Sequence, residues 1–236
     1  MKRIVLLLAV LFIAPMTGAE LPAPPPDARW ELSASRVEAG SAVTIYVEAE
    51  KTPGRPAFRI ETAFSVAPVA AAVTLMEQMV GDQHQPGGQR RKVLERGEHE
   101  ALVYTFIDLP LMLSDRELAL RIRHTDDTAS GVHRVDWKDA NEVLPPESGE
   151  VLRLSGTNGY WEFRPDGAAR TLATYMTQAE VGGSIPSSIS NRMMRAQALN
   201  DVTRLRGLLE ARAKTDVASP PAARDSEAEA LPVSSR

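Results

Sequence analysis

Near its end the chain reads TLATYMTQAE (171–180) and VGGSIP (181–186), followed by a long segment from Ser187 to Lys214. The first stretch is typical of a strand and the last of an amphipathic helix, and the Gly182-Gly183 pair lets the chain turn from one to the other. A β-patterned body that ends in one long helix suggests a sheet that grips a helix. Such a pair can leave a cavity, filled either by side chains or by a guest molecule.

The C-terminal helix is predicted from apolar residues that recur at spacings of three and four. These residues are Ile185, Ile189, Met193, Ala196, Leu199, Val202, Leu205 and Leu209, with arginines on the opposite side.

Period-two patterns dominate the rest of the chain and predict strands. The predicted strands are 43–49, 58–64, 92–96, 100–107, 116–125, 132–138, 150–155, 160–164 and 171–180, with 30–36 as an additional one. Asp126–Gly131 and Asn158-Gly159 have turn chemistry, so successive strands should pair antiparallel. A helix is expected from Pro68 to Met79. Seven consecutive strands leave no room for crossover helices, so the fold class is α+β.

Both ends of the chain differ in composition from the middle. Residues 1–19 combine a basic start, an apolar run from Ile4 to Ala14 and a small-residue site ending at Ala19, the pattern of a cleaved secretory signal peptide. An uncleaved N-terminal anchor is the alternative. Residues 20–28 form a proline-rich spacer, and 215–236 form a tail that we expect to be disordered. One domain, 29–214, remains, and the protein is expected to be periplasmic or secreted.

Composition narrows the function classes. Of the 236 residues 43% are hydrophobic and 25% charged, which fits a soluble globular protein. The net charge of −4 gives no reason to expect nucleic acid as a partner. The chain has no cysteine, which excludes disulfides and a thiolate nucleophile.

No catalytic signature is present. His99-Glu100 resembles the beginning of a zinc-protease motif, but Val103 stands where the second histidine is needed. His124 and His133, with Asp126 and Asp127 close by, could meet across a hairpin and hold a metal, but a polar hairpin tip in water explains these residues more simply. We predict no metal, no cofactor and no catalytic residue.

The connection from Asp108 to Glu117 is unusual because it contains Leu109, Leu111, Met112 and Leu113. Loops are normally polar, so these side chains should cover either the core or the mouth of a pocket. Arg121 follows in the next strand, and Arg134 and Arg153 lie in neighbouring strands. Each of these arginines either faces solvent or meets a polar group at the end of a pocket.

Several motifs together resemble START domains, the steroidogenic acute regulatory protein-related lipid-transfer domains of the helix-grip superfamily. They are LSDRELALR (113–121), VLPP (143–146) with GEVLR (149–153), YWEF (160–163), and GGSIP (182–186) with ISN (189–191) and LRGLL (205–209). The resemblance spans about Phe58 to Ala213 and is greatest to bacterial START-like members.

This resemblance implies a curved antiparallel sheet around the C-terminal helix, with a hydrophobic tunnel between them. It implies that 108–114 is a gate and that Arg121 is a cavity arginine, which the family often pairs with an acid on the preceding strand. Here 102–107 contains no acid. We expect Tyr104, Phe106, Tyr175, Met193 and Gln197 to line the pocket and Leu111 and Met112 to form its lid.

The expected function is that of an exported carrier for a hydrophobic small molecule or lipid, with transient membrane contact as a further option. Two alternatives remain open. One is a polyketide cyclase-like enzyme, for which Asp108, Tyr175 and His133 are the candidate acids or bases. The other is an interaction module with a filled core, which would use its apolar loop for docking.

Overall fold

The computed structural model describes residues 29–38, 40–50, 55–81, 84–85, 89–109, 114–146, 149, 151–180, 183 and 186–218. The predicted signal peptide and spacer, the predicted lid residues Leu111 and Met112, and the last 18 residues lie outside this part of the chain. Within it, no helix is long and apolar enough to cross a membrane.

The structure is a curved sheet with two helices. The strands are β1 Trp30–Glu38, β2 Ser41–Glu48, β3 Ala57–Phe64, β4 His84–Gln85, β5 Gln89–Arg96, β6 Glu100–Ile107, β7 Arg116–Asp127, β8 Val132–Asp139, β9 Leu152–Arg153, β10 Asn158–Pro165 and β11 Thr171–Gln178. The helices are α1 Pro68–Val80 and α2 Ser187–Ala218, with a short 3-10 turn at Asn141–Val143.

Ten strands pair in the order β1-β2-β3-β11-β10-β8-β7-β6-β5-β4, and every pairing along this path is antiparallel. The last strand, β11, enters between β3 and β10 and so joins the beginning of the domain to its end. This is the helix-grip α+β architecture that the sequence predicted, and the prediction is confirmed.

One face of the sheet packs against both helices and forms the main core. Aromatic side chains from four strands fill its centre: the ring centroids of Trp161 and Tyr175 lie 4.6 Å apart, and Phe64, Phe163 and Trp137 extend the stack. From α2, the residues Ala198, Val202, Leu205 and Leu209 pack against the same core. The middle of the domain is therefore well packed.

The structure corrects the prediction of a turn at Asn158-Gly159, because both residues lie inside β10. A Cβ atom on Gly159 would lie 2.3 Å from Cζ2 of Trp137 and 2.4 Å from the carbonyl oxygen of Met176. Glycine is needed here because the Trp137 indole occupies the space of a side chain, not because the chain reverses.

The predicted strand 150–155 is also shorter than expected. Among the described residues of this segment, only Leu152–Arg153 pairs, in parallel with β7. The N–H groups of Leu152 and Leu154 donate to the backbone carbonyl oxygens of Asp115 and Glu117. Gly156, with a φ of 62°, then turns the chain away.

The apolar stripe predicted for α2 is correct from Leu199 onward, because Leu199, Val202, Leu205 and Leu209 all pack against the core. In the first half, Ile189 is 51% exposed and Met193 is 38% exposed, while Ser190 is buried and Ala198 lies in the core. The residues four apart before Val202, namely Ala198, Met194 and Ser190, lie on the buried side of α2. The predicted residues Ile189 and Met193 lie on a different side of the helix. The helix also continues four residues past the predicted end, to Ala218.

Candidate functional site

A cavity of about 780 Å³ lies between the sheet and the beginning of α2. The sheet side is mainly apolar and includes Val47, Pro56, Ala57 and Phe58. Val47 and Phe58 are direct partners across β2 and β3, and both pack on the core side of the sheet. A pair of opposite residues shares one face, so their side chains together form an apolar floor.

The other side of the cavity is polar and is formed by the first turns of α2. It includes Ser188, Asn191, Arg192 and Arg195, which recur at spacings of three and four on one side of the helix, and the buried Ser190. Arg55 also lines the cavity, from the segment before β3. The cavity therefore combines an apolar floor with a cationic rim.

A second polar feature joins α2 to the sheet. The Tyr175 hydroxyl donates to Oδ2 of Asp201 at 2.9 Å, and Nε2 of Gln197 donates to Oδ1 of Asp201 at 2.8 Å. Burial raises the pKa of Asp201, and the two hydrogen bonds it accepts oppose part of that rise. Burial, with the neighbouring Asp201 carboxylate, also raises the pKa of Tyr175 well above its usual value.

The structure thus brings together Tyr175 and Gln197 from the predicted set, through an aspartate that sequence reasoning did not single out. Tyr175 is buried in the aromatic core, and Met193 is partly exposed on α2. Neither lines the cavity at the beginning of α2. Contact of Tyr175, Gln197 or Met193 with a ligand stays a prediction.

Tyr104, Phe106 and Arg121 lie on the other face of the sheet. In the β6–β7 register, Tyr104 is opposite Ala119 and Arg121 is opposite Leu102. Leu102 and Ala119 form a small separate cluster, whereas the neighbouring Val103 belongs to the main core. Because side chains alternate between faces, these three residues point away from α2.

The position of Tyr104, Phe106 and Arg121 corrects the expectation that they face the helix. The Tyr104 hydroxyl donates a hydrogen bond to Oε2 of Glu117 at 3.0 Å. The centroid of the Phe106 ring lies 4.3 Å from Cζ of Arg90. Arg121 pairs at 2.7 Å with Glu100, the first residue of β6. The preceding strand therefore does supply an acid, on the outer face.

The two other arginines of the middle strands are also paired. Arg134 bonds Glu162 at 3.1 Å and lies over the Tyr160 ring, and Arg153 bonds Glu117 at 2.5 Å. Neither of them lines the cavity at the beginning of α2.

The residues weighed for metal binding and catalysis do not form one site. Nε2 of His124 lies 3.2 Å from Nδ1 of His133 across the predicted hairpin. Within the described ranges, no group of three or more histidine or carboxylate side chains is placed to hold a metal ion. Asp108 is exposed directly after β6. In the sheet, three strands separate β6 from β11, which carries the buried Tyr175.

Sequence reasoning missed the residues that line the cavity. Arg192 and Arg195 were assigned to the solvent side of α2 because they lie opposite the apolar stripe. The available signal was the composition of the first turns, SSISNR (187–192), which is too polar to pack on a solid core. Only the arrangement of β2 and β3 shows that this polar surface faces an apolar floor.

No family model matches this sequence. An uncharacterized protein of Pseudomonas aeruginosa is 31% identical over 121 residues, which cover 51% of this chain and 59% of that protein. The matched region thus spans less than two thirds of the relative's length.

Solved structures show the same fold. The STAR-related lipid transfer protein of Xanthomonas axonopodis (fragment 25–204) has a TM-score of 0.62 and 22% identity, over 77% of this chain and 99% of that one. Human STARD10 has a TM-score of 0.62 and 14% identity, over 83% of this chain and 78% of that one. The chain has a START-like fold.

Proposed function

We propose that this protein binds a hydrophobic small molecule, most simply a lipid, between α2 and the sheet. The observation that carries the proposal is the cavity of about 780 Å³ with the apolar floor of Val47, Ala57 and Phe58. Its volume lies in the range of roughly 300–1,000 Å³ that is usual for small-molecule sites. A similarly folded protein is named a lipid transfer protein, which supports the same class of ligand.

The physical basis of binding is the removal of apolar surface from water. Each Å² of apolar surface that a guest buries contributes about 25 cal/mol. Aromatic side chains fill the middle of the domain, so the proposed guest occupies the cavity at the beginning of α2 and enters from that end.

We further propose that the protein acts outside the cytoplasm as a carrier or buffer of its guest. This part rests on the pattern of residues 1–19, which is that of an export signal. A carrier needs no catalytic group, and the proposal assigns none. Transient contact with a membrane surface would load and unload the guest.

The test uses two fluorescent polyene probes, cis-parinaric acid and its methyl ester, added to protein freed of bound lipid. Native mass spectrometry of gently purified protein adds a second readout, since a carrier should retain a lipid. Enhanced probe fluorescence that saturates with protein supports the proposal. If neither probe binds and no lipid is retained, the proposal fails.

A matched pair of variants locates the guest. Asn191 and Asn200 are both exposed on α2, and only Asn191 lines the cavity. Asn191→Trp should fill the cavity and weaken binding of both probes strongly, whereas Asn200→Trp, on the opposite side of the helix, should not. Equal binding by Asn191→Trp and the unaltered protein would place the guest elsewhere.

A further inference from the structure

Arginines that have neither a hydrogen bond nor an ion pair concentrate at the cavity. Most arginines on the sheet pair with a carboxylate, as Arg59 does with Glu61 and Arg134 with Glu162. Five arginines form no hydrogen bond or ion pair with another residue among those described: Arg55, Arg90, Arg192, Arg195 and Arg204. Arg90 lies over the Phe106 ring, and three of the other four, all except Arg204, line the cavity at the beginning of α2.

The one acidic side chain of the lining does not neutralise them. Oε1 of Glu48 lies 3.1 Å from Nε of Arg29, so this carboxylate already has a cationic partner. Three guanidinium groups therefore remain without a counter-ion among the described residues around a cavity with an apolar floor.

The position of Arg55 is fixed by its neighbour. A Cβ atom on Gly156 would lie 1.7 Å from Nη2 of Arg55, so the guanidinium packs directly against the Gly156 backbone. Arg192 and Arg195 are one turn apart on α2 and lie on the other side of the cavity. α2 also begins at this cavity, without an acid in its first turn, and its positive end adds to the cationic field.

From this arrangement we infer that the guest is an anionic amphiphile, with an aliphatic chain on Val47 and Phe58 and an anionic head group between Arg55, Arg192 and Arg195. Guanidinium groups bind carboxylate and phosphate oxygens through charge-assisted hydrogen bonds. The head group is therefore a carboxylate or a phosphate, from a free fatty acid or a membrane phospholipid. This inference rests on the proposed function and specifies its ligand class.

The experiment compares the two probes, which have the same chain and differ in the charge of the head group. The acid should bind roughly tenfold more tightly than the methyl ester, as a hydrogen bond to a charged group predicts. The preference should shrink as salt is added, because the head group lies at a partly open rim. In R192Q/R195Q the preference should disappear while the ester binds as before.

A charge-matched control is R204Q/R212Q, which removes two arginines of the same helix that do not line the cavity. It should keep the preference for the acid. A preference retained by R192Q/R195Q, or lost equally in both double variants, would overturn the assignment to these arginines.

The outcomes separate this inference from the proposed function. Equal affinity for the acid and the ester overturns the anionic guest and leaves a neutral hydrophobic one, whereas no binding of either probe removes both. Vesicles of phosphatidylcholine that contain labelled phosphatidylglycerol identify the source. Label recovered with the protein after sedimentation of the vesicles indicates a phospholipid guest, and acid binding without such extraction indicates a free fatty acid.

Discussion

The Tyr175 hydroxyl lies 2.9 Å from Oδ2 of Asp201, and this hydrogen bond joins β11 to α2 within the main core. The Tyr175 ring is buried in the core, where an unpaired hydroxyl is costly, and the Asp201 carboxylate accepts from both Tyr175 and Gln197. Trp161 and Trp137 pack against the Tyr175 ring and hold it in position. The helix that covers the sheet is therefore fixed by directional bonds as well as by apolar packing, because Arg206 of α2 also donates to Ser41, Thr62 and the carbonyl oxygen of Ala63.

Replacement of Tyr175 by phenylalanine should destabilise the fold by about 1.5–3 kcal/mol, because it removes a hydrogen bond to a charged group and leaves the ring in place. Urea denaturation followed by tryptophan fluorescence measures this loss. Tyr160→Phe is the matched control, since its hydroxyl makes no hydrogen bond to another described residue and its ring lies under Arg134. Equal losses in both variants would contradict the role of the Tyr175–Asp201 bond.

The raised pKa of Asp201 predicts a specific pH dependence of stability. The folded state holds the Asp201 proton more tightly than the unfolded chain does. As pH rises from the usual aspartate pKa through the raised value, this residue therefore costs the fold an increasing amount of stability.

Asn in place of Asp201 removes this titration and still accepts a hydrogen bond from Tyr175. The free energy of unfolding of Asp201→Asn, relative to the unaltered protein, should therefore increase with pH and then level off. Urea denaturation between about pH 4 and pH 8 covers the window. A difference that is independent of pH would show that Asp201 titrates normally.

Two glycines should respond oppositely to alanine. Gly159→Ala should destabilise the protein by about 1–3 kcal/mol, because a Cβ atom would overlap Trp137 and the backbone of Met176. A Cβ atom on Gly207, within α2, would meet no atom within 4 Å. Gly207→Ala should stabilise the helix by up to about 1 kcal/mol. Thermal denaturation compares the two, and a loss of stability in both variants would be inconsistent with open space at Gly207.

Arg121 gives a direct test of the resemblance-based ligand site. Arg121→Gln should leave the affinity for both polyene probes unchanged, because Arg121 pairs with Glu100 on the face of the sheet away from α2. Arg195→Gln should weaken binding of the acid probe. Weaker binding in Arg121→Gln, with Arg195→Gln unaffected, would restore Arg121 to the ligand site.

Much of the fold follows from local patterns in the sequence. Alternation of apolar and polar residues indicated every long strand, and Glu100–Ile107 was predicted with its observed bounds. Pro68 and Ser187 begin the two helices as predicted. These features were predictable because the period of side-chain burial is a property of each segment alone.

The positions of the candidate site residues were less predictable. Alternation of side chains separates the two faces of a strand but does not show which face meets a helix. The outer face of β6 carries the aromatic residues Tyr104 and Phe106, so composition alone does not distinguish it from the inner face. Asn158-Gly159 has the composition of a turn, yet the glycine is required by Trp137 from another strand. Each of these differences depends on a residue distant in sequence.

The sequence by itself determined the α+β class, the antiparallel order of most strands and the long closing helix, because these depend on local periodicity and on short connections. Only the tertiary structure decided that Tyr175 meets Asp201 in the core and that Arg55, Arg192 and Arg195 surround one cavity. Such meetings depend on how β11 enters the sheet between β3 and β10 and how α2 lies across it. Local periodicity cannot encode the position of a residue relative to a partner on another element of the fold.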